Sequence, residues 1–163
     1  MTAKNKPQSD LKVLLVCLGN ICRSPAAQGI LASCAKARGM ALTLDSAGTA
    51  AYHVGNHADP RSISELASRG IDIQSQHARQ VNESDFEHFD WLIAMDRSNL
   101  NNLLAQCPLS LSHKVRLFSS FVNDGGEDVA DPYYGADDGF ATMADHLTLL
   151  SNQFLDFIDS SSD

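Results

Sequence analysis

A segment near the start of the chain combines a cysteine and an arginine in a way that suits phosphate chemistry. Cys17 and Arg23 flank five residues in the segment VCLGNICRSP. A thiolate is a nucleophile, and a guanidinium group can hold two phosphoryl oxygens with its planar fork. Such a spacing arises by chance in about one chain in six of this composition, so the surrounding elements must decide whether it is a site.

The flanking pattern predicts that the segment is a loop between a strand and a helix. Lys12 to Cys17 is an unbroken apolar run, which is typical of a strand buried on both faces. Ser24 as the helix cap and Pro25 in the first turn predict a helix that ends near Gly39. Loop N–H groups and the helix amino terminus would then converge on one anion and favour the thiolate of Cys17.

Individual loop residues add to this prediction. Gly19 and Asn20 permit a positive φ that turns N–H groups inward, and Ser24 can donate to the departing thiolate. Cys22 has two open interpretations, a reversible disulfide partner of Cys17 or a small residue that fills the loop. The other two cysteines, Cys34 and Cys107, are expected to pack in the core.

Phosphoryl transfer from an aryl ester also needs a proton donor, because a phenolate leaves slowly. The segment ADPYYG, residues 130–135, offers Asp131 beside a rigid proline. Its neighbours Tyr133 and Tyr134 could wall a slot for an aromatic ring. A solvated turn carboxylate is an equally good explanation of Asp131 on these patterns alone.

The rest of the chain alternates short apolar runs with helical patterns. Such alternation indicates a parallel sheet with helices on both faces, where ligands bind at the carboxyl ends of the strands. A capping box is expected at Ser84 and Glu87, and helix capping narrowly explains Asp96. The further predicted strands are 41–44, 91–95 and 114–118, and the further helices begin at Asp59-Pro60, near Ser84, at about Ser98 and at about Phe140.

Length and composition limit the function classes. The 163 residues suit one domain, predicted as 11–163 after a disordered extension at 1–10. A net charge of −8 disfavours nucleic acid and anionic membranes as partners. A polar start without a signal sequence and four cysteines predict a cytoplasmic protein with reduced thiols and no membrane insertion. His53 and His57 lack a third ligand, so no metal is expected.

Taken in order, several motifs resemble the low-molecular-weight protein tyrosine phosphatases. The motifs are VCLGNICRSP, DSAGT, HARQ, DFEHFD, AMDRSNL and DPYYG, and the likeness covers about residues 11–157. The resemblance implies an α/β, three-layer, flavodoxin-like fold, and we expect four parallel strands in the order 2-1-3-4. A departure is Gln28, where many members have glutamate.

The resemblance also implies roles for single residues. Cys17 would form a phosphocysteine, Arg23 would bind the phosphoryl oxygens, and Asp131 would act as general acid and then base, without a metal or other cofactor. The predicted substrate-binding residues are Leu18, Gly19, Asn20, Ile21, Cys22, Ser24, Tyr52, Tyr133 and Tyr134. Ser46 and His77 would join Asn20 and Ser24 in a supporting hydrogen-bond network.

The protein is therefore expected to hydrolyse phosphotyrosine in proteins and small aryl phosphates. It is expected to be a monomer, and its loop should also bind phosphate or other oxyanions. A thioredoxin-coupled arsenate reductase is an alternative, but it needs a later pair of redox thiols where this chain has only Cys107. A protein arginine phosphatase of the same family typically has threonine where this chain has Ile21. A phosphopeptide-binding module could dispense with Cys17 and Asp131.

Overall fold

A parallel sheet forms the centre of the computed structural model, which describes residues 11–121, 126–132 and 138–161. Within these residues the strands are β1 (Lys12–Cys17), β2 (Thr43–Gly48), β3 (Trp91–Ala94) and β4 (Val115–Leu117). They pair in parallel in the order β2-β1-β3-β4. The expected order is therefore confirmed. The predicted disordered extension at 1–10 lies outside the described residues.

Helices cover both faces of the sheet and divide the core in two. They are α1 (Arg23–Ala37), α2 (Pro60–Ala67), α3 (Glu83–His88), α4 (Arg97–Gln106) and α5 (Gly139–Ser161). Two short 3-10 helices span Leu109–Lys114 and Phe118–Phe121. Alternate β1 side chains enter the two halves of the core: Val13 and Leu15 pack on the side of α1 and α5, and Leu14 and Val16 on the side of α3 and α4. The result is the expected three-layer arrangement.

Three predicted boundaries were wrong. Strand β2 runs to Gly48 rather than stopping at Leu44, because residues 46–48 are buried and pair with residues 15–17 despite their small and polar side chains. The capping box is Asn82 with Asp85, not Ser84 with Glu87. Helix α1 begins at Arg23, so Ser24 lies inside the first turn, where its hydroxyl is available for the neighbouring loop.

The aromatic stripe of α5 packs in the core, as predicted. Phe154 is fully buried, and its ring meets those of Trp91, Phe118 and Phe121 edge to face. Such contacts between large rings contribute much of the burial that stabilises a domain of this size. In the described part of the chain, no helix has the length and apolar character that crossing a bilayer would require.

Candidate active site

Cys17 lies at the carboxyl end of β1, where the chain turns into the loop before α1. Its side chain is only 2% exposed. The backbone N–H groups of Asn20 and Ser24 donate to Sγ at 3.3 and 3.4 Å, and Ser24 Oγ lies 3.1 Å from Sγ. Asn20 has the expected positive φ, 60°. Donors from the loop and from the first turn of α1 therefore surround this sulfur.

The loop carbonyls are held away from the sulfur by neighbouring elements. The bonds run from Ala50 N to Leu18 O at 3.0 Å, from Asp59 N to Ile21 O at 2.8 Å and from Ser62 Oγ to Cys22 O at 3.2 Å. In a trans peptide the N–H of the next residue points opposite to the carbonyl. The N–H groups of Gly19, Cys22 and Arg23 therefore turn to the inner side of the loop, which forms an anion cradle.

A buried hydrogen-bond network supports the loop from behind. Asn20 Nδ2 donates to Ser24 Oγ at 2.8 Å and to Ser46 Oγ at 2.9 Å, as the resemblance implied for these three residues. The fourth expected member is different, because Ser46 Oγ donates to Gln76 Oε1 at 3.4 Å. His77 instead is exposed, and its ring lies 4.4 Å from that of His57. The structure thus places Gln76 rather than His77 in this network.

Arg23 is the buried cation of the site, with a side chain 4% exposed. Its Nη1 donates to Asp96 Oδ2 at 2.6 Å and to Val129 O at 3.1 Å. Burial opposes the charged form, but the negative charges of Cys17 and Asp96 outweigh it and raise the pKa of Arg23 above its ordinary value. The guanidinium therefore stays charged and fixed beside the sulfur.

Asp96 both caps a helix, as its sequence position predicted, and binds the cation of the site. Oδ1 accepts the N–H of Asn99 and caps α4, while Oδ2 binds Arg23. The contact with Arg23 was missed in the sequence. The position of Asp96 could have indicated this contact, because Asp96 follows β3, and the carboxyl end of β3 lies at the same sheet edge as Cys17.

Asp131 approaches the site from the segment before α5. Its Oδ2 lies 3.7 Å from Arg23 Nη2, and its side chain is 42% exposed. Val129 N donates to Met95 O at 2.9 Å, which anchors this segment to the end of β3. The carboxyl group therefore lies at the mouth of the cradle, where both water and a leaving group can reach it. Tyr133 and Tyr134, the predicted slot walls, lie outside the described residues.

These residues line one pocket of about 130 Å³. Exposed Leu18 and Tyr52 form apolar walls, which suit an aromatic ring. His53, which the sequence suggested only as a possible metal ligand, also lines the pocket. Its ring lies so close to Gly19 that a Cβ on Gly19 would be 3.0 Å from His53 Cδ2. The pocket is lined by Cys17, Leu18, Gly19, Ile21, Cys22, Arg23, Tyr52, His53 and Asp131.

Cys22 is buried beside Cys17. Burial raises the pKa of the Cys22 thiol, and the negative charges of Asp59 and Cys17 raise it further. Because the thiolate is the form that attacks a disulfide or sulfenic acid readily, the Cys22 thiol is a poor nucleophile in the reduced protein. Cys34 and Cys107 are half-buried and pack against the two halves of the core, as predicted.

Metal ligands are not grouped in this part of the chain. Across residues 11–121, 126–132 and 138–161, no cluster of three or more His, Cys, Asp or Glu side chains could hold an ion. The groups that can bind an anionic ligand here are the loop N–H groups and Arg23.

A flavodoxin-like sheet that presents a cysteine inside an anion cradle fits the class of cysteine-dependent phosphatases. Residues 12–162 match the family model described as low molecular weight phosphotyrosine protein phosphatase. The protein of that name from Schizosaccharomyces pombe is 42% identical over 151 residues, which cover 90% of this chain and 96% of the relative.

Solved structures agree with this assignment. A protein tyrosine phosphatase from Entamoeba histolytica, crystallised with Hepes in the active site, superposes with a TM-score of 0.88 at 35% identity and covers 94% of this chain and 99% of its own. YfkJ from Bacillus subtilis gives a TM-score of 0.86 at 33% identity, covering 94% and 97%. The chain therefore belongs to the low molecular weight phosphotyrosine protein phosphatase family.

Proposed function

We propose that the protein hydrolyses phosphotyrosine in proteins, and small aryl phosphates, through a phosphocysteine on Cys17. One observation carries the proposal: a single pocket brings together the donor-surrounded sulfur of Cys17, the fixed guanidinium of Arg23 and the carboxyl group of Asp131. These are the nucleophile, the anion ligand and the proton donor that transfer of a phosphoryl group requires.

In the first step, the thiolate of Cys17 attacks phosphorus while the bond from phosphorus to the phenolic oxygen breaks. Loop N–H groups and the guanidinium of Arg23 bind the non-bridging oxygens, and they stay fixed while charge develops. Asp131, in its carboxylic acid form, gives its proton to the departing phenolic oxygen. The products are a phosphocysteine, a free phenol and the Asp131 carboxylate.

In the second step, water replaces the phenol in the pocket. The Asp131 carboxylate takes a proton from this water as its oxygen bonds to phosphorus, and the bond from sulfur to phosphorus breaks. The thiolate of Cys17 leaves, and the hydroxyl of Ser24, 3.1 Å from Sγ, can donate a hydrogen bond to it. Inorganic phosphate is released, and Asp131 is again an acid.

The pocket walls favour an aryl phosphate as substrate. Leu18 and Tyr52 flank the entrance with apolar surface that would pack against a phenyl ring. The half-buried Ile21 lines the same pocket, and it favours an aryl group over the guanidino group of a protein arginine phosphatase substrate. An arsenate reductase is disfavoured, because the only cysteine after Cys34 is Cys107, whose Sγ contacts Pro108 O at a helix end.

The cellular location and the partners are inferred from the same chemistry. A free thiol nucleophile requires reducing conditions, and all four cysteines are free, so we infer a cytoplasmic location. Phosphotyrosine-containing proteins are the proposed partners, with a monomer as the working unit and neither nucleic acid nor membrane as a ligand.

The test is hydrolysis of a series of aryl phosphates and a phosphotyrosine peptide by the wild type and two variants. Cys17→Ser is expected to abolish turnover. Asp131→Asn should lower kcat by about 10²–10⁴-fold for phenols that leave poorly and much less for phenols that leave well, because proton donation matters less for the latter. Asp128→Asn, on the same segment but bonded to Arg97, is the control and should match the wild type. Full activity of Cys17→Ser would refute the mechanism.

A further inference from the structure

Arg79 lies behind the catalytic loop, outside the pocket, between two carboxylates. Its side chain is 31% exposed. Nη1 and Nη2 donate to the two oxygens of Asp85 at 3.0 and 3.1 Å, and Nη2 lies 3.1 Å from Asp45 Oδ2. Burial opposes the charge on Arg79, but these carboxylates raise its pKa. Arg79 Nε also donates to Asp45 Oδ2, at 3.2 Å. Two nitrogens of the guanidinium group therefore contact each carboxylate.

Both carboxylates are themselves fixed to regular elements. Asp85 Oδ2 accepts the N–H of Asn82 at 2.8 Å in the capping box of α3. Asp45 Oδ1 accepts the N–H of Ser46 at 2.8 Å in β2. A bidentate guanidinium has little orientational freedom, so Arg79 holds its own segment against α3 and β2.

The main chain of Arg79 passes this restraint to the loop. Its carbonyl accepts the N–H of Gly48 at 2.8 Å, and its N–H donates to Asn20 Oδ1 at 2.9 Å. A peptide N–H can only donate, so its partner on Asn20 must be the amide oxygen, and this fixes which way the amide faces. Asn20 Nδ2 is thereby directed to the hydroxyl oxygens of Ser24 and Ser46.

The orientation of Asn20 decides where the hydroxyl proton of Ser24 can go. Because Ser24 Oγ accepts from Asn20 Nδ2, its own proton is left for Cys17 Sγ at 3.1 Å or for Ala47 O at the longer distance of 3.4 Å. A thiolate is the stronger acceptor of the two. The hydroxyl therefore donates to sulfur when the sulfur is negative, which is its state on leaving phosphorus.

We propose that Arg79, held by Asp45 and Asp85, is a positioning residue that locks the Asn20 amide and so directs the Ser24 hydroxyl to Cys17. The inference rests on the proposed function and deepens it, because it assigns a role in breakdown of the phosphocysteine. In this proposal Arg79 acts on the sulfur through Asn20 and Ser24, and it does not line the pocket that would hold the substrate.

The test compares Arg79→Gln and Arg79→Lys with Arg69→Gln. Arg69 is a matched control, since it is 29% exposed and also bridges two carboxylates, Glu65 at 2.8 Å and Asp145 at 2.9 Å, on the surface of α2 and α5. Steady-state and pre-steady-state hydrolysis of one aryl phosphate gives kcat, KM and the burst of phenol. Urea unfolding gives the stability of each variant.

Arg79→Gln is expected to lower kcat about tenfold with KM falling alongside, so that kcat/KM changes less than about threefold, because the loss falls on the second step. The burst of phenol should persist in Arg79→Gln. Arg79→Lys should recover part of the wild-type kcat. Arg69→Gln should keep the wild-type kcat despite a similar loss of stability. A merely structural role would not produce this split between kcat and kcat/KM.

Equal kcat in Arg79→Gln and Arg69→Gln would overturn the proposal, as would a fall in kcat/KM equal to the fall in kcat. If Arg79→Gln does not fold, Asp45→Asn, which removes one carboxylate from a half-exposed position, should show the same split at smaller size. An inactive wild type would overturn the proposed function itself, whereas an active wild type with an equally active Arg79→Gln would overturn only the positioning role.

Discussion

Gly48 is the position where one added methyl group should reach the catalytic loop most directly. It ends β2, directly behind the turn that follows Cys17. A Cβ at this position would lie 2.7 Å from Leu18 O, 3.1 Å from Ala50 O and 3.2 Å from the carbonyl carbon of Gly19. All three neighbours are backbone atoms, so no side chain can rotate away, and Gly48→Ala must displace the loop or β2.

The size of the effect follows from these distances. An ordinary contact between carbon and a carbonyl oxygen is about 3.3–3.6 Å, so the loop carbonyl must retreat by about 0.6–0.9 Å. Overpacking of this kind costs about 1–3 kcal/mol of stability. A misplacement approaching 1 Å in an active site costs about 10²-fold in rate. Gly48→Ala should therefore lower kcat/KM for an aryl phosphate by about 10–100-fold.

Gly39→Ala separates this effect from a general loss of stability. Gly39 has φ 73°, and a Cβ there would meet nothing within 4 Å, so alanine brings about 1–2 kcal/mol of backbone strain without a clash. It follows the 15 residues of α1, and so lies roughly 22 Å from the loop. Both variants should lose stability in urea, but only Gly48→Ala should lose activity. Wild-type kcat/KM in Gly48→Ala would refute the claim that β2 supports the cradle at this distance.

Three further predictions concern the anion site and the core. Asp96→Asn keeps an acceptor for Arg23 but replaces a charged carboxylate with a neutral amide, so the bond that fixes the guanidinium is weaker and kcat/KM should fall by about tenfold; an unchanged kcat/KM would count against a fixed guanidinium. Burial opposes ionisation of Asp59, yet hydrogen bonds from Arg61 outweigh it and lower its pKa. Asp59→Asn should therefore be less stable than the wild type in urea at pH 6, with the difference shrinking as the pH falls below about 4; a constant difference would contradict this. Phe154→Ala should lose about 3–5 kcal/mol of unfolding free energy by urea titration, and a loss below about 1 kcal/mol would show a different core.

Local sequence patterns were enough to predict most of the fold. Apolar runs and helix stop signals predicted the alternation of strands and helices, and therefore the parallel sheet. Strand β2 was placed too early, because Asp45 and Ser46 are polar residues that tertiary contacts, rather than their own hydrophobicity, hold in a strand. The capping box was misplaced by two residues, since Asn82 and Ser84 both suit the start of a helix.

The site was predictable as far as its chemistry depends on neighbours in the chain. Cys17 and Arg23 flank one loop, and both were identified from their spacing and from the elements beside them. Asp131 needed the resemblance as well, because an Asp-Pro pair by itself indicates only a turn. The contacts of Arg23 with Asp96 and of Asn20 with Arg79 join residues far apart in the chain. Only the folded sheet brings such partners together, which is also why Gln76 was not distinguished from its neighbour His77.

Detection of a phosphorylated sulfur tests the central claim most directly. The wild-type protein would be mixed with an excess of radiolabelled aryl phosphate, quenched within the first turnovers, digested and mapped for label. The proposed mechanism predicts label on the peptide that contains Cys17, held by a bond from phosphorus to sulfur. The label should disappear as turnover ends. Rapid turnover without labelled protein, or label on any other residue, would contradict a phosphocysteine intermediate on Cys17.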